Sequence, residues 1–196
     1  YNQLKLTDLS ILLKRGKSAK YGKSKIQIIK SGQARGWFDF DFSERHYVDE
    51  SFVVDERKLV GGDLLINSTG VGTAGRVTYF GEDGDFVVDS HITIFRPNQD
   101  LILPKYALCA LGLIGFDNIE NMALGQSGQI ELSLDIIGNI KIPVPPIDVQ
   151  KQIVEEISKV EKSNSDAKSL IDKNLSDISI IINGLGSTVS IEEYFD

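Results

Sequence analysis

Through the first three-quarters of the chain, apolar residues come in short runs separated by breaks rich in Gly, Asp, Asn and Ser. Ile26–Ile29, Leu64–Ile66, Arg76–Phe80, Phe86–Val88 and Ile92–Phe95 have the length of strands and are rich in β-branched and aromatic residues. Leu101–Ile114 differs. Its length and spacing predict a helix starting near Pro104, where a fixed φ and a missing N–H suit the first turn. Tyr106, Leu108, Leu111 and Ile114 are expected in its core face. ELSLDII, at 131–137, reads as a further extended segment, with the turn GQSGQ before it.

The character changes after Pro145-Pro146, which closes the segment IKIPVPP and cannot lie inside a helix. From Ile147 no Gly or Pro occurs until Gly184, enough for a helix about 50 Å long at 1.5 Å per residue. Ile153, Ile157, Val160, Ala167, Ile171, Ile178 and Ile181 recur at spacings of three, four and seven, a heptad seam with Asn164 and Asn174 at two seam positions. Such a narrow seam calls for a partner helix, and an Asn within it fixes register and partner. The expected class is therefore α+β: a strand-rich mixed α/β domain over 1–146, one long coiled-coil-type helix over 147–183, and a tail over 184–196.

Charge modifies this picture in one quarter of the chain. The net charge of −7 by itself argues against a nucleic-acid partner. Residues 1–47, however, carry ten basic side chains against four acidic ones, a balance of +6 that leaves −13 for the remainder. A basic segment on an acidic body can grip phosphates locally while nonspecific binding stays weak; a solvated lysine face has the same composition. Lys23 and Lys25 are candidates from this quarter. The single cysteine, Cys109, excludes an internal disulfide and a cysteine-rich zinc site, and a reducing cytoplasm is expected. The opening YNQLKLTDLS lacks the charged-then-apolar pattern of a signal peptide, and no apolar run reaches membrane-spanning length.

Gly70-Val71-Gly72-Thr73-Ala74-Gly75 matches the dinucleotide fingerprint in form. That motif works only when its last glycine opens a helix facing the pyrophosphate, and here the alternating, strand-like Arg-Val-Thr-Tyr-Phe follows. A loop between two strands is expected, with a nucleotide- or S-adenosylmethionine-binding domain as the alternative. Asn67, Ser68, Thr69, Thr73 and Arg76 would offer donors and acceptors to phosphates and base edges; turn glycines satisfying positive φ are the plainer account. A second loop, Ser31-Gly32-Gln33-Ala34-Arg35-Gly36-Trp37, holds Gln33 and Arg35, residue types that pair with adenine and guanine at two points. Trp37 is either a packing anchor or a stacking platform. A third loop contributes Gln126 and Ser127, unless it is only a turn.

No catalytic constellation emerges. His46 and His91 have no metal-type spacing, and Asp89, Ser90 and His91 are consecutive, so on a strand they face alternate sides. His91 is expected in the core or facing DNA. Glu82, Asp83 and Asp85, with Gly81 and Gly84 among them, form what reads as a solvated hairpin tip rather than a magnesium site.

The segments GDLLINSTGVGTAGRV, DSHITIFRP and GQSGQIELSLDIIGNIKIPVPPIDVQKQIV, in this order and followed by a long helix, resemble the specificity subunits of type I restriction–modification enzymes. Gly62, Asp63, Thr69, Gly70, Gly75 and Arg76 carry one part of the resemblance; Pro143, Pro145, Pro146, Gln150 and Ile153 carry the strand-to-helix junction. It implies a target-recognition domain reading one half of a split double-stranded DNA site, joined to a spacer helix that pairs antiparallel with another. Methyltransferase subunits using S-adenosylmethionine, and a restriction subunit where present, would be the partners, with no cofactor in this chain. One recognition domain with one helix fits a half-subunit that pairs with its own copy, a truncated chain, or the reading end of a longer methyltransferase. An interaction module with purely structural glycine loops is the third class of reading. The adenine methylase motif is absent: Val144 and Ile147 flank Pro145-Pro146 and can neither hydrogen-bond nor stack on a flipped base.

Overall fold

The computed structural model describes residues 1–126 and 129–186. In chain order the elements are β1 (Gln3–Lys5), α1 (Leu6–Leu9), β2 (Ser10–Arg15), β3 (Gln27–Ile29), β4 (Ala34–Gly36), β5 (Asp39–Phe40), β6 (His46–Tyr47) and β7 (Leu64–Asn67). There follow β8 (Val77–Tyr79), β9 (Phe86–Val88), β10 (Ile92–Pro97), α2 (Pro104–Ile114), α3 (Phe116–Glu120), β11 (Leu124–Gln126), β12 (Gln129–Glu131), α4 (Leu134–Asn139), β13 (Lys141–Pro143) and α5 (Ile147–Gly186). The mixed α/β class expected from the pattern of short runs is observed.

Two sheets build the centre of the first compact unit, residues 1–151. One is antiparallel, in the order β2-β10-β7-β8; the other runs β6-β3-β9, with β3 and β9 parallel. Alternation along β3 serves both sides. Ile29 enters a cluster with Leu12, Leu65, Phe80, Phe86, Val88 and Ile94, whereas Ile28 packs with Val48 and Val87. The stacked rings of Phe40 and Phe42, 5.1 Å apart, close the larger cluster.

Two expectations need correction. Residues 81–85 are not a hairpin tip, because β8 and β9 belong to different sheets and the segment crosses between them. ELSLDII is not one extended segment either. Extension stops at Glu131, and Ser133 caps a short helix by accepting a hydrogen bond from the Ile136 N–H.

The glycine-aspartate pair before β7 builds an internal anchor. Gly62 takes φ +96°, and wholly buried Asp63 receives both Nε and Nη2 of Arg96, at 2.7 and 2.8 Å. Arg96 also donates to the Lys58 carbonyl, and the Val60 N–H donates to Asp63. At the start of α5, Gln150 is wholly buried. Its Nε2 donates to the Leu101 and Pro145 carbonyls and its Oε1 accepts from the Leu103 N–H. β1 pairs with β13 beside this junction.

The second compact unit starts at Gln152 and contains the rest of α5. Its seam residues Val160, Ala167, Ile171, Ile178 and Ile181 are exposed, while Ile153 and Ile157 are half-buried; the side chain of Asn164 lies outside the described residues. Leu170, Leu175 and Ile180 are exposed too, so the apolar stripe is broader in the second half than the heptad alone predicts. Residues 187–196, most of the expected tail, lie outside the described residues. No described helix is long and apolar enough to cross a membrane.

Candidate nucleic-acid interface

Strand register brings distant segments to one end of the antiparallel sheet. Arg15 lies opposite Thr93, Asn67 opposite Ile92, and Val77 opposite Ile66. The C-terminal ends of β2 and β7 and the N-terminal ends of β10 and β8 therefore emerge together. The parallel pair β3–β9 adds Lys30 and Ser31, because Ile29 is level with Val88 and the Asp89 N–H donates to the Ile29 carbonyl. β12 joins through a bridge from Thr69 to Glu131 and a bond from the Leu132 N–H to the Ser68 carbonyl.

Asn67-Ser68-Thr69 is the hub of this assembly. Asn67 Nδ2 donates to the Ser31 and Ala34 carbonyls at 2.9 and 3.1 Å, while its buried Oδ1 has no partner among the described residues. Ser68 Oγ lies 2.7 Å from Thr93 Oγ1, and its N–H donates to the His91 carbonyl. Thr69 Oγ1 lies 2.8 Å from His91 Nδ1. Asn67, Ser68 and Gln33 were expected to contact DNA, but all three are buried, and apart from Asn67 Oδ1 their polar side-chain atoms are used internally. Gln33 Nε2 donates to the Asp41 and Glu44 carbonyls, and Oε1 accepts from the Lys30 N–H. They hold the loops instead of meeting solvent.

The glycine loop itself joins β7 to β8 and opens no helix, so the pyrophosphate geometry of a dinucleotide fold is not formed. Gly70, Gly72 and Gly75 all take positive φ. A Cβ at Gly75 would stand 2.5 Å from the Phe116 carbonyl oxygen and 2.7 Å from the Glu120 nitrogen, so the loop is seated directly on α3. The Gly72 N–H donates to Glu120 Oε1 and Arg76 Nη2 to the Gly72 carbonyl, both at 2.6 Å. Thr73 Oγ1 lies 3.1 Å from the Thr69 and Gly70 carbonyls.

The remaining candidates scatter. Arg35 is exposed and bonded to Asp41 at 2.7 Å; the Ser43 hydroxyl, and then Arg35, hold the Asp41 carboxyl down at about 2. Trp37 takes φ +57° and packs on Phe116 at 5.4 Å, against Gly112, where a Cβ would meet its ring. That makes it an anchor, although 47% of it stays exposed. Lys23 and Lys25 precede β3, at its opposite end from Ser31, and do not join the cluster. Gln126 ends β11, and Ser127 lies outside the described residues.

Sequence reasoning missed several contributors. Arg15 donates to Glu131 Oε1 at 2.5 Å and to the Leu132 carbonyl at 2.6 Å, clamping β12 to the end of β2. Lys17 pairs with Asp55 and Lys14 with Glu56, and these contacts lower both carboxyls. Asp89 is raised instead, by burial, although it accepts the His91 N–H. Basic residues could be counted from the sequence, but partners 38 to 117 residues away could not. Among the described residues, no group of three or more His, Cys, Asp or Glu is placed to hold a metal.

Comparison with known proteins gives a consistent answer. The family of type I restriction modification DNA specificity domains matches residues 4–182. A putative type I restriction enzyme MjaX specificity subunit of Methanocaldococcus jannaschii is 29% identical over 161 residues, which cover 78% of this chain and 37% of the relative. Among solved structures, the S subunit of a type I system from M. genitalium has a TM-score of 0.60 at 16% identity, covering 89% of this chain and 42% of that one. The HsdS subunit of Thermoanaerobacter tengcongensis has a TM-score of 0.59 at 12% identity, covering 100% of this chain and 50% of that one. These two likenesses establish the fold. The chain spans half the length of these relatives or less.

Proposed function

The chain belongs to the family of type I restriction modification DNA specificity domains, and from that premise we propose that it reads one half of a split double-stranded DNA target for partner methyltransferase subunits. The family match over residues 4–182 carries this reading. The loop-bearing sheet end, where the segments that carry Arg15, Arg76 and His91 meet around the Asn67–Thr69 hub, supports it. In this reading the chain contributes recognition and no catalytic centre. Its partner subunits, with S-adenosylmethionine, methylate adenine, and a restriction subunit joins where one exists; the cytoplasm is where such a complex acts. Of the residues first considered, Thr69, Thr73, Arg76, His91 and Arg35 remain the candidate DNA contacts, with Lys23 and Lys25 as peripheral phosphate contacts.

In the same proposal α5 is the spacer, pairing through Val160, Ala167, Ile171 and Ile178 with the helix of a second copy or of a second recognition half. A reading end of a longer fused methyltransferase would use the same surface and the same helix. Exchanging residues 1–140 for another recognition domain should change the methylated sequence, read by methylation-site sequencing of cells carrying the complex. An unchanged site would refute the proposal. A palindromic split site identifies pairing of two identical halves; an asymmetric one identifies a second recognition domain.

A further inference from the structure

At the loop-bearing end of the sheet most polar groups are already spoken for. Asn67, Ser68 and Gln33 face inward, Arg15 is clamped on Glu131, Lys17 on Asp55, Arg35 on Asp41, and one nitrogen of Arg76 on the glycine loop. His91 is different. It is exposed, its backbone N–H is held by Asp89 Oδ1 at 2.9 Å, and its carbonyl by the Ser68 N–H at 2.8 Å. Its ring is held by Thr69 Oγ1 on Nδ1, at 2.8 Å, and Nε2 has no partner among the described residues. Thr69 is itself fixed by its bridge to Glu131 and by the Thr73 hydroxyl near its carbonyl. A side chain held at both backbone and ring presents its remaining polar atom in one direction, with little ordering left to do on binding.

We infer that the Thr69–His91 pair is a specificity-determining element that donates the His91 Nε2–H to the N7 edge of one purine in the major groove. The inference rests on the DNA-reading proposal above. When the Thr69 hydroxyl donates to Nδ1, the neutral ring carries its proton on Nε2; when the ring is an imidazolium, both nitrogens donate and Thr69 accepts. Both of these states offer an Nε2–H outward, whereas the neutral tautomer protonated on Nδ1 donates to Thr69 and presents a bare Nε2 that can only accept. Purine N7 is the acceptor common to guanine and adenine, and guanine adds O6 beside it.

The test uses the assembled complex and duplexes carrying its methylated target. Each purine of the half-site is replaced in turn by its 7-deaza analogue, which exchanges N7 for a C–H. With the wild-type chain, one position should lose binding by about tenfold. His91→Ala and Thr69→Val should each remove that position's sensitivity, with Thr69→Ser restoring it, while thermal unfolding stays close to wild type. Equal weakening on all sequences makes His91 a phosphate contact and overturns the inference, as does deaza sensitivity that persists in His91→Ala. A wild-type complex with no sequence preference refutes the recognition reading and this pair with it; a preference untouched by either variant refutes the pair alone.

Discussion

Asp63 is wholly buried, and its charge is tolerated because Arg96 meets both carboxylate oxygens and the Val60 N–H adds a third donor. The contact in turn raises the Arg96 pKa. Removing one member of such a pair strands the other, at a cost of roughly 3–5 kcal/mol. Asp63→Ala should therefore lower stability by about that amount in denaturant melts. Asp41 is a contrasting case, half-buried and held at about 2 by Ser43 and Arg35. Its folded pKa lies below the unfolded one, so its contribution is present above about pH 4 and vanishes as the pH falls through about 2. Asp41→Asn should be less stable than wild type at neutral pH, and the difference in melting temperature should close between pH 4 and pH 2. A constant difference across that range would contradict the assignment.

At the scale of elements, β3, β7, β8, β9 and β10 were legible because β-branched and aromatic runs mark them, and α2 because Pro104 opens it, whereas β2, which carries Arg15, was not read as a strand. The helix α4 was missed although Ser133 and Asp135 are ordinary start signals, since the alternation of ELSLDII looked extended. The glycine loop was legible as a loop but not as a buried hub. Polar Asn67 and Ser68 read as solvent-facing until residues 31–36 and 132 fold over them, and those are tertiary contacts. Gly75 shows how tight this seat is. Gly75→Ala would combine an unfavourable φ of +83° with a Cβ driven into the backbone of α3. A loss of about 2 kcal/mol or more is expected in thermal melts, with target binding reduced further as the loop shifts. Gln150 ties the first turn of α5 to the 101–103 segment by three bonds. Gln150→Leu should cost about 2–4 kcal/mol, because the part-buried backbone groups at Leu101 and Leu103 and the buried Pro145 carbonyl lose their partner.

At the scale of the whole molecule, the two proposed roles, recognition and helix pairing, have different physical signatures. Recognition depends on which loops meet, and long-range pairing decides that. The helix depends on a local repeat that can be read directly. Exposed apolar residues along α5 are a liability in an isolated helix and an asset once it pairs, since burying each large aliphatic side chain contributes about 1.5–3 kcal/mol. Ile171→Asp places a charge at the middle of the seam, where a pairing helix would have to desolvate it. Because Ile171 is exposed in the single chain, the first unit should unfold within about 0.5 kcal/mol of wild type. Association through the helix should be lost, as read by sedimentation, and with it the methylation of a split target. Retained association would place the pairing surface on another face of α5, and the stripe through Leu170 and Leu175 would then be the one to substitute.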